Sequence, residues 1–307
     1  MQHVDRTLTA ADHEAIAIAQ MRETSTMTTT EGRPTVARVL VDLVLDERGA
    51  SAARWAHRFA TDLGAPIIAW VMVGNESAER SIGTEREFEA ETAVSARVWL
   101  HSEDIVVDEL CIASGARDAD LVASVQAGDV VVLGVDSTEG FSPWALGSHA
   151  RELVHALRCP LIIVPPGAPA RDMAPIIVGV DGTDDNGRVL RWATRLAGAL
   201  RRELVPVFAY GGDNYTAISS AHRNPSEADS PEGVGLDEVP GRPARVLRDV
   251  SLGTVAYLTV VGARSEPSFR GLLVGSVVDS LLHRAPCAIA IIPRSPVHSL
   301  DDEMVVR

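Results

Sequence analysis

The sequence contains no lysine: all 28 basic residues among its 307 are arginine. Schiff-base chemistry, pyridoxal-phosphate chemistry and the Walker-A phosphate loop all require a lysine amine, so these classes are excluded. Cysteine is nearly absent too. Cys111, Cys159 and Cys287 form no CxxC, which argues against a zinc ribbon or a disulfide scaffold and points to a reducing compartment. No stretch approaches eighteen apolar residues, and the N-terminus lacks a charged segment followed by an apolar run, so a soluble, cytoplasmic protein without a membrane segment is expected. Positive charge is the minority: the formal net charge is −14 and the pI about 5.1. Nucleic acid and anionic membrane surfaces are therefore poor partners, because both recruit clustered basic charge. G-x-S-x-G, HExxH and EF-hand patterns are missing, and the nine histidines have no catalytic or metal-binding spacing.

What is present is 46% apolar residues in a chain long enough for two domains of ordinary size. Residues 1–34 and 295–307 read as tails. Between them strand-like apolar runs alternate with helical patterns, the signature of a parallel sheet covered on both faces, so the class is α/β. In a first unit, 35–166, strands are expected at 35–45, 66–73, 104–112, 129–134 and 160–165. Helices are expected at 49–63, 84–100 (Thr84 and Glu87 forming a capping box), 117–126 and 147–157. A linker at 167–173 precedes a second unit, 174–294. It replays the order with PIIVGVD (175–181), a helix at 187–201 and ELVPVFAY (203–210).

The two units are a duplication. Gly134, Ser137, Phe141, Gly147, Ser148, Leu153, His155, Cys159, Ile163 and Pro165 recur at an offset of 128 as Gly262, Ser265, Phe269, Gly275, Ser276, Leu281, His283, Cys287, Ile291 and Pro293. The copies differ where the first has its second helix. There the second has GGDNYTAISSAHRNPSEADSPEGVG (211–235), too rich in Gly, Pro, Ser and Asp to sustain one. The third strand of that unit, near 234–239, is weak, and Pro206 in its second strand suits a sheet edge.

The chemistry-bearing feature is the segment from the fourth strand to the last helix, GVDSTEGFSPWALGS (134–148) and GARSEPSFRGLLVGS (262–276). Each runs from a strand's carboxyl end to a helix start at Gly-Ser, where exposed N–H groups and the helix dipole favour an anion such as phosphate. This spacing, with an APC-plus-apolar closing strand ending in Pro, resembles the universal stress protein family in tandem. VGVDGTDDNGRVLRWA (178–193) is similar to the family's opening strand and helix.

The resemblance implies two doubly wound five-stranded parallel sheets of strand order 3-2-1-4-5, an adenine-nucleotide alpha-hydrolase-like fold. It also implies that the apolar fifth strands pair the two units, with homodimerisation of the whole chain as a further expectation. The implied ligand is ATP or another adenine nucleotide, with or without Mg2+. Asp181 would lie near the adenine, Gly262 near the ribose, and Ser265, Gly275 and Ser276 around the phosphates, with Arg264 and Arg270 available for charge-assisted bonds. Both repeats carry serine (Ser137, Ser265) where ATP-binding members have the loop's second glycine.

Gly134, Ser137, Gly147 and Ser148 are the weaker first-repeat equivalents. Superposing the two RWA helices puts Val44 or Leu45 where Asp181 stands, and the first loop carries Asp136 and Glu139 with no basic residue. Like charge opposes a triphosphate, so the second repeat is the better site. With no general base in view, the expected function is a non-enzymatic, nucleotide-responsive stress regulator, at most a slow ATPase, acting on an unidentified protein partner. A ligand-free interaction module with relic sites is the alternative. His155 and His283 read as helix C-terminal charges, Trp55 and Trp192 as core, and Cys159 and Cys287 as buried thiols.

Overall fold

The computed structural model describes residues 36–72, 85–113, 117–134, 148–168, 171–181, 186–210, 237–263, 276–282 and 286–293. The first repeat contributes β1 (Arg38–Leu43), α1 (Glu47–Leu63), β2 (Ile67–Met72), α2 (Glu85–Ser102), β3 (Glu109–Ala113), α3 (Arg117–Ser124), β4 (Asp129–Gly134), α4 (Ser148–Ala156) and β5 (Leu161–Val164). The second contributes β6 (Ile176–Val180), α5 (Asn186–Leu200), β7 (Leu204–Tyr210), β8 (Asp237–Pro240), α6 (Pro243–Gly253), β9 (Leu258–Gly262), α7 (Ser276–Leu282) and β10 (Ala288–Ile292).

The strands form one continuous sheet in the order β3-β2-β1-β4-β5-β10-β9-β6-β7-β8. Each half has the order 3-2-1-4-5 and is parallel throughout. The antiparallel step is β5–β10, where Leu161, Ile162 and Ile163 face Ile291, Ala290 and Ile289. Reversal at the seam turns the carboxyl ends of the second repeat's strands away from those of the first.

Near-continuous apolar runs make these strands, because both faces are buried. Alternate residues feed two cores. Val39, Val41, Val130, Val132, Val178 and Val260 lie under α1, α2 and α5 on one face. Leu40, Val131, Leu133, Ile163, Val261 and Ile289 lie under α3, α4, α6 and α7 on the other. On the first face α1 reaches across the seam: Trp55 stacks on Phe59 with centroids 4.9 Å apart and on Tyr257 of the second repeat at 5.4 Å. The Arg202 guanidinium lies 3.8 Å from the Tyr257 ring centre, and Arg202 Nη2 is 3.8 Å from Asp62 Oδ2 of the first repeat.

Two expectations are corrected, and one helix is added. The strand expected at 104–112 is confined to Glu109–Ala113, because Asp104 takes φ 56° as the left-handed cap of α2 and the chain then turns toward β3. The strand carrying Pro206 is not a sheet edge but runs between β6 and β8. Among the described residues β8 first pairs at Val207, so the proline's missing N–H removes no ladder bond there. A helix that sequence reading passed over, α6, follows Gly241-Arg242 with Pro243 in its first turn, where a proline's missing N–H costs nothing. Thr84, His283 and the segment 211–235 lie outside the described residues.

Candidate functional site

In each half the strand order reverses between the first and fourth strands, and an open α/β sheet takes its ligand in the crevice at their carboxyl ends. In the second repeat those strands are β6 and β9. Asp181 follows β6 directly and is half-buried, and Gly262 ends β9. Pairing between them stops at Val178 opposite Val260. Continuing that register puts Val180 level with Gly262, so Asp181 stands one residue above it at the mouth. Structure thus brings Asp181 and Gly262 together at the switch point. Ser276 opens α7, whereas Arg264, Ser265, Arg270 and Gly275 fall outside the described residues.

The first repeat gives the same frame with different contents. Val39 opposite Val130 matches Ile176 opposite Leu258, which makes Val44 the equivalent of Asp181 and settles the choice between Val44 and Leu45. Its switch-point strands stay paired one residue further, to Asp42 opposite Leu133. The turn after β1 is drawn down onto α1. Asp46 N–H donates to the Val44 carbonyl (2.9 Å), Gly49 N–H donates to Asp46 Oδ1 (3.2 Å), and a Cβ on Gly49 would stand 1.8 Å from the Val44 oxygen. Gly134 ends β4 and Ser148 opens α4, while Ser137 and Gly147 fall outside the described residues.

Two features escaped the reading of the sequence. Asp42, only 4% exposed, lies one inward-facing position beneath Val44, where the second repeat has Gly179. Glycine there suits the packing: a Cβ at 179 would meet Leu247 Cδ1 at 2.9 Å, so that side chain would have to move. Gly262 has a packing reason as well, since its Cβ would meet Val189 Cγ2 at 3.2 Å. Register alignment of the two opening strands, rather than a motif, is the signal that pairs Asp42 with Gly179.

A hollow of about 570 Å³ lined by Arg171, Met173, Glu203 and Val255 lies at the amino ends of β6 and β7, the end of the sheet away from Asp181. Among the described residues no group of His, Cys, Asp and Glu is placed to hold a metal ion, and no helix is long and apolar enough to cross a membrane. Cys159 and Cys287 are buried, and burial pushes their thiols up to about 12 and about 11.

Two doubly wound halves joined edge to edge, each with its crevice at a strand-order switch, define a tandem doubly wound α/β protein. The universal stress protein family model matches residues 36–165 and 173–293, and the chain belongs to that family. It is similar to universal stress protein Rv2005c of Mycobacterium tuberculosis, 28% identical over 240 residues, covering 64% of this chain and 79% of that protein. Among solved structures it is similar to a universal stress protein from Archaeoglobus fulgidus (TM-score 0.62, 15% identity, 84% of this chain and 99% of that one). It is also similar to one described as a putative universal stress protein from Pseudomonas aeruginosa (TM-score 0.56, 15% identity, 84% and 93%).

Proposed function

We propose that the second repeat binds an adenine nucleotide, ATP foremost, and that the protein is a non-enzymatic regulator in the cytoplasmic stress response. The observation carrying this reading is the asymmetry at the two switch points. In the second repeat the strands part early, with a carboxylate, Asp181, at the mouth and a glycine beside it. In the first they stay paired, valine replaces the carboxylate, and the turn closes onto Gly49. An adenine edge offers hydrogen-bond donors that a carboxylate accepts, and glycine lets a ribose approach the backbone. The described residues therefore fit the nucleoside half of the ligand. Ser265, Gly275 and Ser276, with Arg264 and Arg270, are the residues proposed to hold the phosphates.

The test is to denature the purified protein, analyse the supernatant for nucleotide, and titrate the stripped protein with ATP and cyclic AMP beside Asp181→Ala and Gly275→Val. One equivalent bound, lost in both variants, is the expected result. A second reading, a ligand-free interaction module, is favoured by one observation: the Val189 contact accounts for Gly262 without any ligand. No released nucleotide and no binding up to millimolar concentration would establish it.

A further inference from the structure

On the first core face, the two repeats differ in what covers the second and third strands. In the first repeat α2 lies over β2, with Ala96, Trp99 and Leu100 packed into the core that includes Ala69 and Val71. Just past its last turn Glu103 forms an ion pair with Arg54 of α1. An amphipathic helix thus sits in the groove between α1 and the sheet, apolar side down, with a carboxylate answering an arginine on the neighbouring helix.

The second repeat keeps the outer end of this groove open. Leu204 and Pro206 stand at the positions of Ile67 and Ala69 and are buried as those are, whereas Phe208 stands at the position of Val71 and Tyr210 extends the row. Arg191 stands at the position of Arg54 in the repeated RWA of α5 and is exposed. Neither a helix equivalent to α2 nor a carboxylate equivalent to Glu103 occurs among the described residues of this repeat, whose connection is the Gly-, Pro- and Ser-rich 211–235. Phe208 is half-buried and Tyr210 is 39% exposed, whereas Val71 is buried at 2%. Helix α5 carries arginines at 188, 191 and 195 and no acidic residue, in a chain of net charge −14.

We propose that this groove of the second repeat docks an amphipathic helix with an acidic flank from a partner protein, in the place α2 occupies in the first. Apolar residues of that helix cover Phe208 and Tyr210, and its carboxylate pairs with Arg191 as Glu103 pairs with Arg54. Such helix-in-groove recognition reads anchors at helical spacing, and charge fixes its register. The first repeat supplies both the geometry and the sign of the charge. This inference does not rest on the nucleotide reading, although Phe208 pairs with Val180, the residue before Asp181.

The chain itself provides the probe. A fluorescent peptide of residues 85–104 is titrated into the full-length protein and followed by anisotropy. Saturable binding is expected, weakened at least tenfold by Arg191→Glu and by Tyr210→Ala. A peptide carrying Glu103→Arg should bind wild type poorly and regain affinity for the Arg191→Glu protein. Binding indifferent to both protein variants overturns the proposal, as does no binding up to millimolar peptide. A variant with 211–235 replaced by a short Gly-Ser linker guards the second result. If the peptide binds only that variant, the groove belongs to the chain's own connection and the partner assignment is wrong.

Discussion

Ile162 and Ala290 occupy the same position of the two repeats, and they face each other across the antiparallel β5–β10 junction. The pseudo-two-fold axis of the molecule therefore passes between a large and a small side chain. Both are fully buried in the core beneath α1, α2 and α5. At a point of self-pairing, two isoleucines would crowd the axis and two alanines would leave a void. The duplicated sequence has diverged here to one of each, and the volume is shared.

That relationship predicts a coupled pair. Ile162→Ala removes buried methylenes and should cost about 2–5 kcal/mol; Ala290→Ile overpacks a full core and should cost about 1–3 kcal/mol. Exchanging the two together restores the total volume at the axis. The double variant is expected to be more stable than the sum of the singles implies, by at least about 1 kcal/mol. Urea unfolding of the four proteins measures the coupling; strict additivity would place the two side chains out of contact.

Helix ends give a second prediction. Helices α1, α2, α5 and α6 each close with the paired bonds of a left-handed cap, as in Gly64 N–H to the Thr61 carbonyl (3.1 Å) with Ala65 N–H to the Ala60 carbonyl (3.0 Å). The residue in the left-handed conformation is Gly64 after α1 (φ 63°) but Arg201 after α5 (φ 51°) and Val255 after α6 (φ 51°). A β-branched residue is the least suited to that region. Val255→Gly should raise stability by about 1–2 kcal/mol and Arg201→Gly by about 1 kcal/mol, whereas Gly64→Ala should lower it by about 1 kcal/mol. Chemical denaturation of the three variants tests the order; a destabilised Val255→Gly would show that its side-chain contacts outweigh the backbone strain.

Much of the architecture was legible in the sequence for physical reasons. Strands buried on both faces leave continuous apolar runs, and the offset of 128 across the last two strands marks the duplication whatever the fold. The register at the seam follows from that offset only once symmetry is imposed. Val255 and Arg201 were not legible as caps, because the usual signal at such positions is glycine and neither is one. Asp42 was invisible for another reason: its significance comes from occupying in β1 the position that Gly179 occupies in β6, an equivalence between strands 137 residues apart with no motif around it. Asp181 and Gly262 could be placed at the crevice because strand ends at a switch point are fixed by topology. Residues inside the long loop depend on local conformation that apolar periodicity does not encode.

A third prediction concerns the other contact between the repeats. Tyr257 is fully buried, its ring lies between Trp55 and the Arg202 guanidinium, and its hydroxyl has no hydrogen-bond partner among the described residues. A buried hydroxyl without a partner carries its desolvation cost uncompensated, while the ring supplies the packing. Tyr257→Phe should therefore raise stability by about 1 kcal/mol, and Tyr257→Ala should lower it by about 3–5 kcal/mol. Thermal and urea unfolding distinguish these outcomes. A destabilised phenylalanine variant would mean that the hydroxyl holds a buried water between the repeats.

The missing lysines make the alkaline limb of the stability curve unusually readable. In most proteins lysine titration dominates above pH 9; here the groups that ionise before arginine are three cysteines and three tyrosines. Burial raises the Cys159 thiol to about 12 and the Cys287 thiol to about 11, the latter beside Thr259 Oγ1 at 3.2 Å. Both thiols keep their protons in the folded protein at a pH where the unfolded chain has lost them. Stability must then fall as pH rises, beginning near the ordinary thiol value of about 9 and continuing toward 11–12. The double variant Cys159→Ala/Cys287→Ala should start less stable at pH 8 because it loses buried volume, yet its urea midpoint should decline less between pH 9 and 11 than that of wild type. Parallel declines in the two proteins would assign the alkaline loss to the tyrosines, Tyr257 above all, whose hydroxyl burial also raises. A thiol reagent at pH 8 gives an independent reading: half-buried Cys111 should react first, and Cys159 and Cys287 only on unfolding.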